Sequence, residues 1–275
     1  VEFVCSPTAV KHIPVLLDEC LAALEPGHGG SFADLTFGGG GHSRAILEAN
    51  SKNNLLAMDC DPDAKDRSES FVSEFDDRFN FCDSSFRDLD QFSSAGEFDG
   101  ILMDLGISSF QLMEPGKGFS FRLDAPIDMR LDPRVGLSAS EFLETASYES
   151  LVRAVREYGE ERRWRRVVEA IIEARGTGLL SRTMSAAELV SNAVGGRDFR
   201  QRIHPATKTF QGIRIAINGE LEALAVTLPK AFRALKEGGV LAVISFHSLE
   251  DRIVKRFMRK MAGRPESKYD GRAQQ

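Results

Sequence analysis

Four consecutive glycines, Gly38 to Gly41, follow the short apolar stretch Ser31 to Phe37 and run directly into His42. Backbone without side chains can turn sharply and pass close to a ligand, and positive φ costs it little. A structural turn would need only one or two such residues. About twenty positions on, the next apolar run, Asn54 to Met58, ends in the acidic pair Asp59 and Asp61. A carboxylate there is placed to accept hydrogen bonds from ribose hydroxyls. Together, Gly38, Gly40 and Asp59 describe a nucleoside-bearing cofactor lying across the first two strands of a parallel sheet. NAD is disfavoured without being excluded, because Ser43 stands where the third glycine of a dinucleotide fingerprint belongs. The Asp-x-x-x-Gly-x-Gly spacing from Asp34 also suits S-adenosylmethionine.

Two further stretches place reactive side chains at strand ends. Asp104 closes the run Asp99-Gly-Ile-Leu-Met-Asp104, and strand C-termini of open α/β sheets line the ligand crevice. A carboxylate there can accept hydrogen bonds from a cofactor amine or a substrate amine; capping the next helix is its structural alternative. Ser245, Phe246, His247 and Ser248 end a later strand. His247 could orient a base or shuttle a proton, while a structural His247 and an N-cap at Ser248 serve equally well. In the irregular stretch 113–135, Phe119 and Phe121 alternate, so that one could stack on a base while the other packs.

The elements that must position these groups follow from periodicity. Ser31 to Phe37, Asn54 to Met58, Phe79 to Cys82, Phe98 to Leu105 and Val240 to Phe246 read as strands. Val15 to Leu24 and Ser43 to Ala49 read as helices, the second pointing its first amides at whatever the glycines hold. Strand and helix in alternation imply right-handed βαβ units and a parallel sheet. The alternation stops after Ser109. Helical patterns then cover Ser140 to Arg202, including a stripe of Trp164, Val167, Val168, Ile171 and Ile172. Thr209 to Ala234 reads as one long helix, and Leu249 to Met261 as a last, basic one.

The chain has 275 residues, 42 % of them hydrophobic, enough for a sizeable core. No apolar run approaches the roughly 18 residues that span a bilayer. The four cysteines show no metal-ligand spacing, which favours a reduced, cytoplasmic chain. Net charge is −6, but unevenly spread: residues 1–110 carry 7 basic and 20 acidic side chains, residues 111–211 carry 16 and 14, and residues 212–275 carry 12 and 7. Basic clusters at Arg162 to Arg166, Arg197 to Arg202 and Arg252 to Lys260 could hold a polyanion while the acidic first segment faces away; a solvated helix face is the plainer reading of each.

With these pieces placed, the chain closely resembles the bacterial small-subunit ribosomal RNA cytosine-N(4) methyltransferases. The matching stretches are His12 to Glu19, Thr36 to Ser43, Asp59-x-Asp61-Pro62, Asp99 to Ser109, Gly118 to Phe121, Asp128 to Arg130, Tyr158 to Arg162, His204 to Gln211 and Ser245 to Phe257. The resemblance implies a Rossmann-like class I methyltransferase sheet (1–111 and 208–275) interrupted by an all-helical substrate-recognition insertion (112–207). It implies S-adenosylmethionine as cofactor, held at Gly40, Gly41, His42, Asp59, Phe86, Asp104 and Gln111. The implied substrate is one cytosine near the decoding site of 16S ribosomal RNA within the small subunit. Members of that family continue past the basic helix to an Asn-Pro-Arg-x-Arg-Ser-x-x-Leu-Arg segment. This chain begins at Val1 and stops at Gln275, so a shortened sequence is expected.

The exocyclic amine of cytosine is a poor nucleophile because its lone pair is delocalised into the ring. An acceptor for its hydrogens and in-line placement of the methyl donor would supply most of the rate. Asp104 or a carbonyl beside it is the expected acceptor, with Ser245 and His247 shaping the base pocket. Methylation at carbon 5 would need a cysteine at the strand edge, and none follows either strand. No ligand cluster suggests a metal. A nonenzymatic ribosome-assembly factor and an NAD-linked oxidoreductase remain as other classes, and the oligomeric state stays open, a homodimer included.

Overall fold

The computed structural model describes residues 14–196 and 203–264. Cys5, His12, the basic run Arg197 to Arg202 and the C-terminal stretch ending at Gln275 lie outside the described residues.

The chain enters through α1 (Leu17–Leu24) and then alternates through β1 (Ser31–Asp34), α2 (Gly41–Ala49), β2 (Asn54–Asp59), α3 (Pro62–Phe75), β3 (Phe79–Asp83), α4 (Leu89–Phe92) and β4 (Phe98–Asp104). With β5 (Leu235–Ile244), these strands form one parallel sheet in the order β3-β2-β1-β4-β5. The short apolar runs suit this place because a parallel sheet is covered on both faces. One face packs Leu24 of α1, Ile46 and Leu47 of α2, and Phe71 and Phe75 of α3. At the head of α3 a capping carboxylate, Asp61, accepts from the Asp63 amide and Pro62 fills the first helical position.

Between β4 and β5 the chain turns helical: α5 (Ser109–Met113), α6 (Ala139–Thr145), α7 (Tyr148–Val152), a π-helical turn over Arg153–Tyr158, α8 (Trp164–Glu173), α9 (Thr183–Ala193), α10 (Thr207–Asn218) and α11 (Glu220–Ala234). Apolar residues of α6 to α10 bury a separate core around Leu143, Leu151, Val155, Val167, Val168, Ile171 and Phe210. Phe119 is buried in it. Phe121 packs edge-on against Phe210, centroids 5.0 Å apart, and against His204 at 4.7 Å. Both aromatics therefore pack within the helical core, the plainer of the two readings open for them. Ile172 of the expected stripe is exposed.

Three expectations about elements need correction. The long helix from Thr209 breaks at Gly219, whose φ of +58° closes α10 with its N–H donating to the Ile215 carbonyl. The apolar stripe therefore serves two cores: Phe210 and Ile213 face the helical one, while Leu224 and Leu228 of α11 cover the second face of the sheet with Leu89. The last strand starts at Leu235, not Val240, and carries a bulge. Phe98 pairs with Leu235 and Gly100 with Val240, the extra residues turning at Gly238. Helix α2 begins inside the glycine run, capped by Gly40. After β5 comes α12 (Ser248–Met261). Among the described residues no helix is long and apolar enough to cross a membrane.

Candidate active site

From β1 the chain moves one way to β2 and β3, then returns to β4 on the other flank. The C-terminal ends of β1 and β4 are therefore the topological switch point, where open α/β sheets bind ligands. The Asp104 amide spans it, donating to Thr36 Oγ1 at 2.7 Å, and the Leu35 amide donates to the Leu102 carbonyl. A cleft of about 800 Å³ opens here, lined by Gly38 to His42, Asp59, Phe86, Asp104 to Gln111 and Phe246 among others. That is the size of a small-molecule site.

The glycine run has structural causes of its own. Gly38 and Gly40 take φ of +53° and +74°. A Cβ on Gly39 would strike the Phe110 ring, one on Gly40 the Phe71 ring and one on Gly41 the Pro14 ring. Turn and packing together account for all four, more than the one or two a structural turn was expected to need. The run builds the wall of the cleft, and the ligand is argued from what the wall holds.

Asp59 Oδ2 accepts from the Gly38 amide at 2.7 Å, and Oδ1 from the Asp61 amide at 2.9 Å. It ties the glycine turn to the end of β2. Burial pushes its pKa up to about 6, against the lowering effect of those two amides. Asp61 faces away as a hub, accepting from Gln111 Nε2 at 2.9 Å and Lys117 Nζ at 2.6 Å. Gln111 is thereby fixed at the cleft, its Oε1 also accepting from the Ser108 amide in a capping box. Phe86 leans from the end of β3 between the cleft and the second sheet core.

Asp104 is the least satisfied group in the cleft. Its Oδ1 is buried with no hydrogen-bond partner among the described residues, which is rare for a carboxylate oxygen. Burial, then the nearby carboxylates of Asp34 and Glu250, push its pKa up to about 7. His42 Nε2 lies 3.7 Å from Asp104 Oδ2 and has no hydrogen bond of its own among the described residues. Burial holds that imidazole below its ordinary range. Asp34, fully buried behind them, accepts from Ser43 Oγ at 2.6 Å and from the Thr36 amide at 3.1 Å, and burial raises its pKa as well. The orphaned Asp104 oxygen and His42 nitrogen call for a polar, preferably cationic, partner. The amino-acid end of S-adenosylmethionine has that chemistry, so the residues fit the cofactor.

Ser245 and His247 are not among the residues lining the cleft. His247 is the N-cap of α12, its Nδ1 accepting from the Glu250 amide at 3.4 Å. Glu250 Oε2 accepts from the amides of Phe246 at 2.9 Å and His247 at 3.3 Å. Ser248, the expected cap, is the first residue of the helix instead and donates to Glu160. Phe246, between the two expected residues, is the one that reaches the cleft. Sequence reasoning used Asp34 only as the start of the glycine pattern and passed over Glu250. The spacing His247-x-x-Glu250 was the available signal for the second, since it is that of a capping box. Among the described residues no group of His, Cys, Asp and Glu could hold a metal ion.

Residues 9–268 match the model of the MraW methylase family. The chain belongs to that family. It is 46 % identical over 260 residues to a ribosomal RNA small subunit methyltransferase H of Thermomicrobium roseum, covering 93 % of this chain and 79 % of the relative. It is 48 % identical over 259 residues to the protein of that name from Nitrosomonas eutropha, covering 92 % and 80 %. Among solved structures, a putative rRNA methylase from Clostridium thermocellum overlaps 36 % of this chain and 55 % of its own at a TM-score of 0.29 and 16 % identity, too partial to weigh. As an MraW methylase, the chain is a methyltransferase on a Rossmann-like parallel sheet, and its cleft lies where such sheets bind their ligands.

Proposed function

We propose that this MraW methylase transfers the methyl group of S-adenosylmethionine to the exocyclic N4 of one cytosine in the decoding region of 16S ribosomal RNA, on the small subunit. The observation that carries the proposal is the cleft at the switch point and, in it, the buried Asp104 oxygen that has no hydrogen-bond partner among the described residues. The names of the relatives, ribosomal RNA small subunit methyltransferases, support the class of substrate.

The cofactor would be held by the backbone of Gly38, Gly40 and Gly41, by His42, by Asp59 at its ribose hydroxyls, and between Phe86 and Gln111. Bound there, it supplies an activated methyl group on a sulfonium. Asp104 is assigned two contacts: ionised, it attracts the cofactor's ammonium, and it accepts hydrogen bonds from the cytosine amine, restoring lone-pair density to that nitrogen. The methylated amine must lose a proton, and the Asp104 carboxylate facing that amine is the acceptor that would take it. His42, 3.7 Å away, is the neighbour through which it could leave. Residues 1–111 and 208–275 form the methyltransferase unit in this reading, and residues 112–207 the helical substrate-recognition insertion. The target base must leave its stack to reach the cleft, so the basic α12 and the arginines around Trp164 would hold the surrounding backbone.

Calorimetric titration with S-adenosylhomocysteine and with NAD tests the cofactor: the first should bind one to one and the second not at all. Mass spectrometry of ribosomal RNA from cells lacking and then regaining the chain tests the product. Cofactor binding with no change in the RNA would instead identify a nonenzymatic assembly factor.

A further inference from the structure

Phe246 is 56 % exposed at the lip of the cleft. The other aromatic side chains lining that cleft are engaged. Phe37 and Phe71 are 3 % and 4 % exposed in the sheet core, Phe86 packs on the opposite sheet face, and Phe110 lies under the Arg67 guanidinium at 5.0 Å. A single exposed apolar side chain is ordinary on a protein surface, so exposure alone says little. What sets Phe246 apart is how firmly its backbone is held. Glu250, 2 % exposed, accepts from the Phe246 and His247 amides, and His247 closes the reciprocal bond to the Glu250 amide. The Leu105 amide donates to the Ile244 carbonyl, fastening the exit of β5 to the residue after Asp104. Gly106, at φ +92°, keeps the neighbouring turn bare: a Cβ there would sit 3.4 Å from the Phe246 ring. The backbone that carries the ring is thus held next to the end of β4, and the ring stands over Gly106.

We infer that Phe246 is the platform on which the pyrimidine ring of the substrate stacks, and that Glu250 is the positioning residue that aims it. The inference rests on the reading of the cleft as a site for a nucleoside cofactor and a flipped-out base. A base taken from its helix loses its stacking neighbours, and an aromatic face restores about 1–3 kcal/mol of that. The exocyclic amine projects from the edge of the pyrimidine, in the ring plane. A ring lying flat on Phe246 can therefore direct its edge toward the carboxylate at the end of β4. The Ser245-Phe-His-Ser-Leu-Glu250 stretch then has one purpose, with its polar members serving the phenyl ring between them.

The test uses the full chain, methyl-tritiated S-adenosylmethionine and small subunits purified from cells lacking the modification. Three variants are compared, F246A, F246L and F246W, each with its calorimetric Kd for S-adenosylhomocysteine. Stacking predicts that F246A and F246L lose about 10- to 100-fold in kcat/KM, that F246W stays within about threefold of the parent, and that cofactor Kd moves less than about twofold throughout. F246L at parental activity would overturn the inference by showing that apolar bulk suffices. Cofactor affinity falling in step with activity would overturn it by assigning Phe246 to the cofactor wall. A parent chain that binds no cofactor or transfers no label would sink the underlying reading, an outcome seen before any variant is compared.

Discussion

Asp104 sits among groups that all disfavour its charge: a buried site, Asp34 behind it and Glu250 on the adjoining helix. With its pKa pushed up to about 7, the carboxyl of the free protein carries a proton below neutral pH, and an arriving cation must displace it there. Cofactor affinity should therefore be full above pH 7 and weaken toward tenfold per unit below it, with Asp59, pushed up to about 6, adding a further decline. Titrations between pH 5.5 and 8.5 check this, and Asp104→Asn should both weaken binding and flatten the upper part of the profile. The same shift has a stability consequence of definite sign. A carboxyl whose folded pKa is raised contributes stability that is full below its unfolded value of about 4 and is lost as pH rises to about 7, so Asp104→Asn should stabilise the cofactor-free protein at pH 8 by about 2–4 kcal/mol and hardly at all at pH 4. Thermal melts at the two pH values measure it. Asp59 and Asp104 were legible because short apolar runs mark strand ends, and acids at strand ends face the crevice. Phe246 was not, because a phenylalanine after a strand reads alike whether it enters a core or stands at a lip. The decision is made by Glu250 turning the backbone.

At the scale of elements, the start of α12 is the joint on which the site's second wall depends. Glu250→Ala would leave the Phe246 and His247 amides without their side-chain acceptor and break the reciprocal half of the capping box. A loss of about 1–3 kcal/mol is expected, or a fall in Tm of about 3–10 °C. Glu250→Gln keeps the acceptor and removes the charge. It should largely restore Tm, and because the Glu250 charge raises the Asp104 pKa, it should shift the pH midpoint of cofactor binding downward. The alternating strands and helices of the sheet could be read from periodicity, since each run is short, apolar and punctuated. The break at Gly219 was hidden by the apolar stripe, which continues across it from one core into another. The signal that should have outweighed periodicity was the pair Asn218-Gly219, a common helix stop.

Across the whole molecule, charge is unevenly spread: the first 110 residues are strongly acidic, the helical stretch is close to neutral with clustered arginines, and the tail helix is basic. Arg156 and Arg165 stand over the Trp164 ring at 5.3 and 4.5 Å, and Arg162 and Arg252 line an open groove of about 650 Å³ beside it, together with Glu157, Glu160 and Glu161. The arginines here and the basic residues of α12 should give RNA binding a steep dependence on salt. Arg256, exposed on α12, is a clean probe. Arg256→Glu should weaken small-subunit binding about three- to tenfold at 0.1 M salt, reduce the salt slope and leave cofactor Kd unchanged, as filter binding and calorimetry would show. Composition alone pointed away from a nucleic acid; only the distribution of charge along the chain kept that partner in view. The most direct test of the account is to incubate the protein with methyl-tritiated S-adenosylmethionine and unmodified small subunits, digest the ribosomal RNA to nucleosides and locate the label. The account predicts one labelled species, N4-methylcytidine; label at carbon 5 of the ring, on another nucleoside or nowhere in the RNA would contradict it.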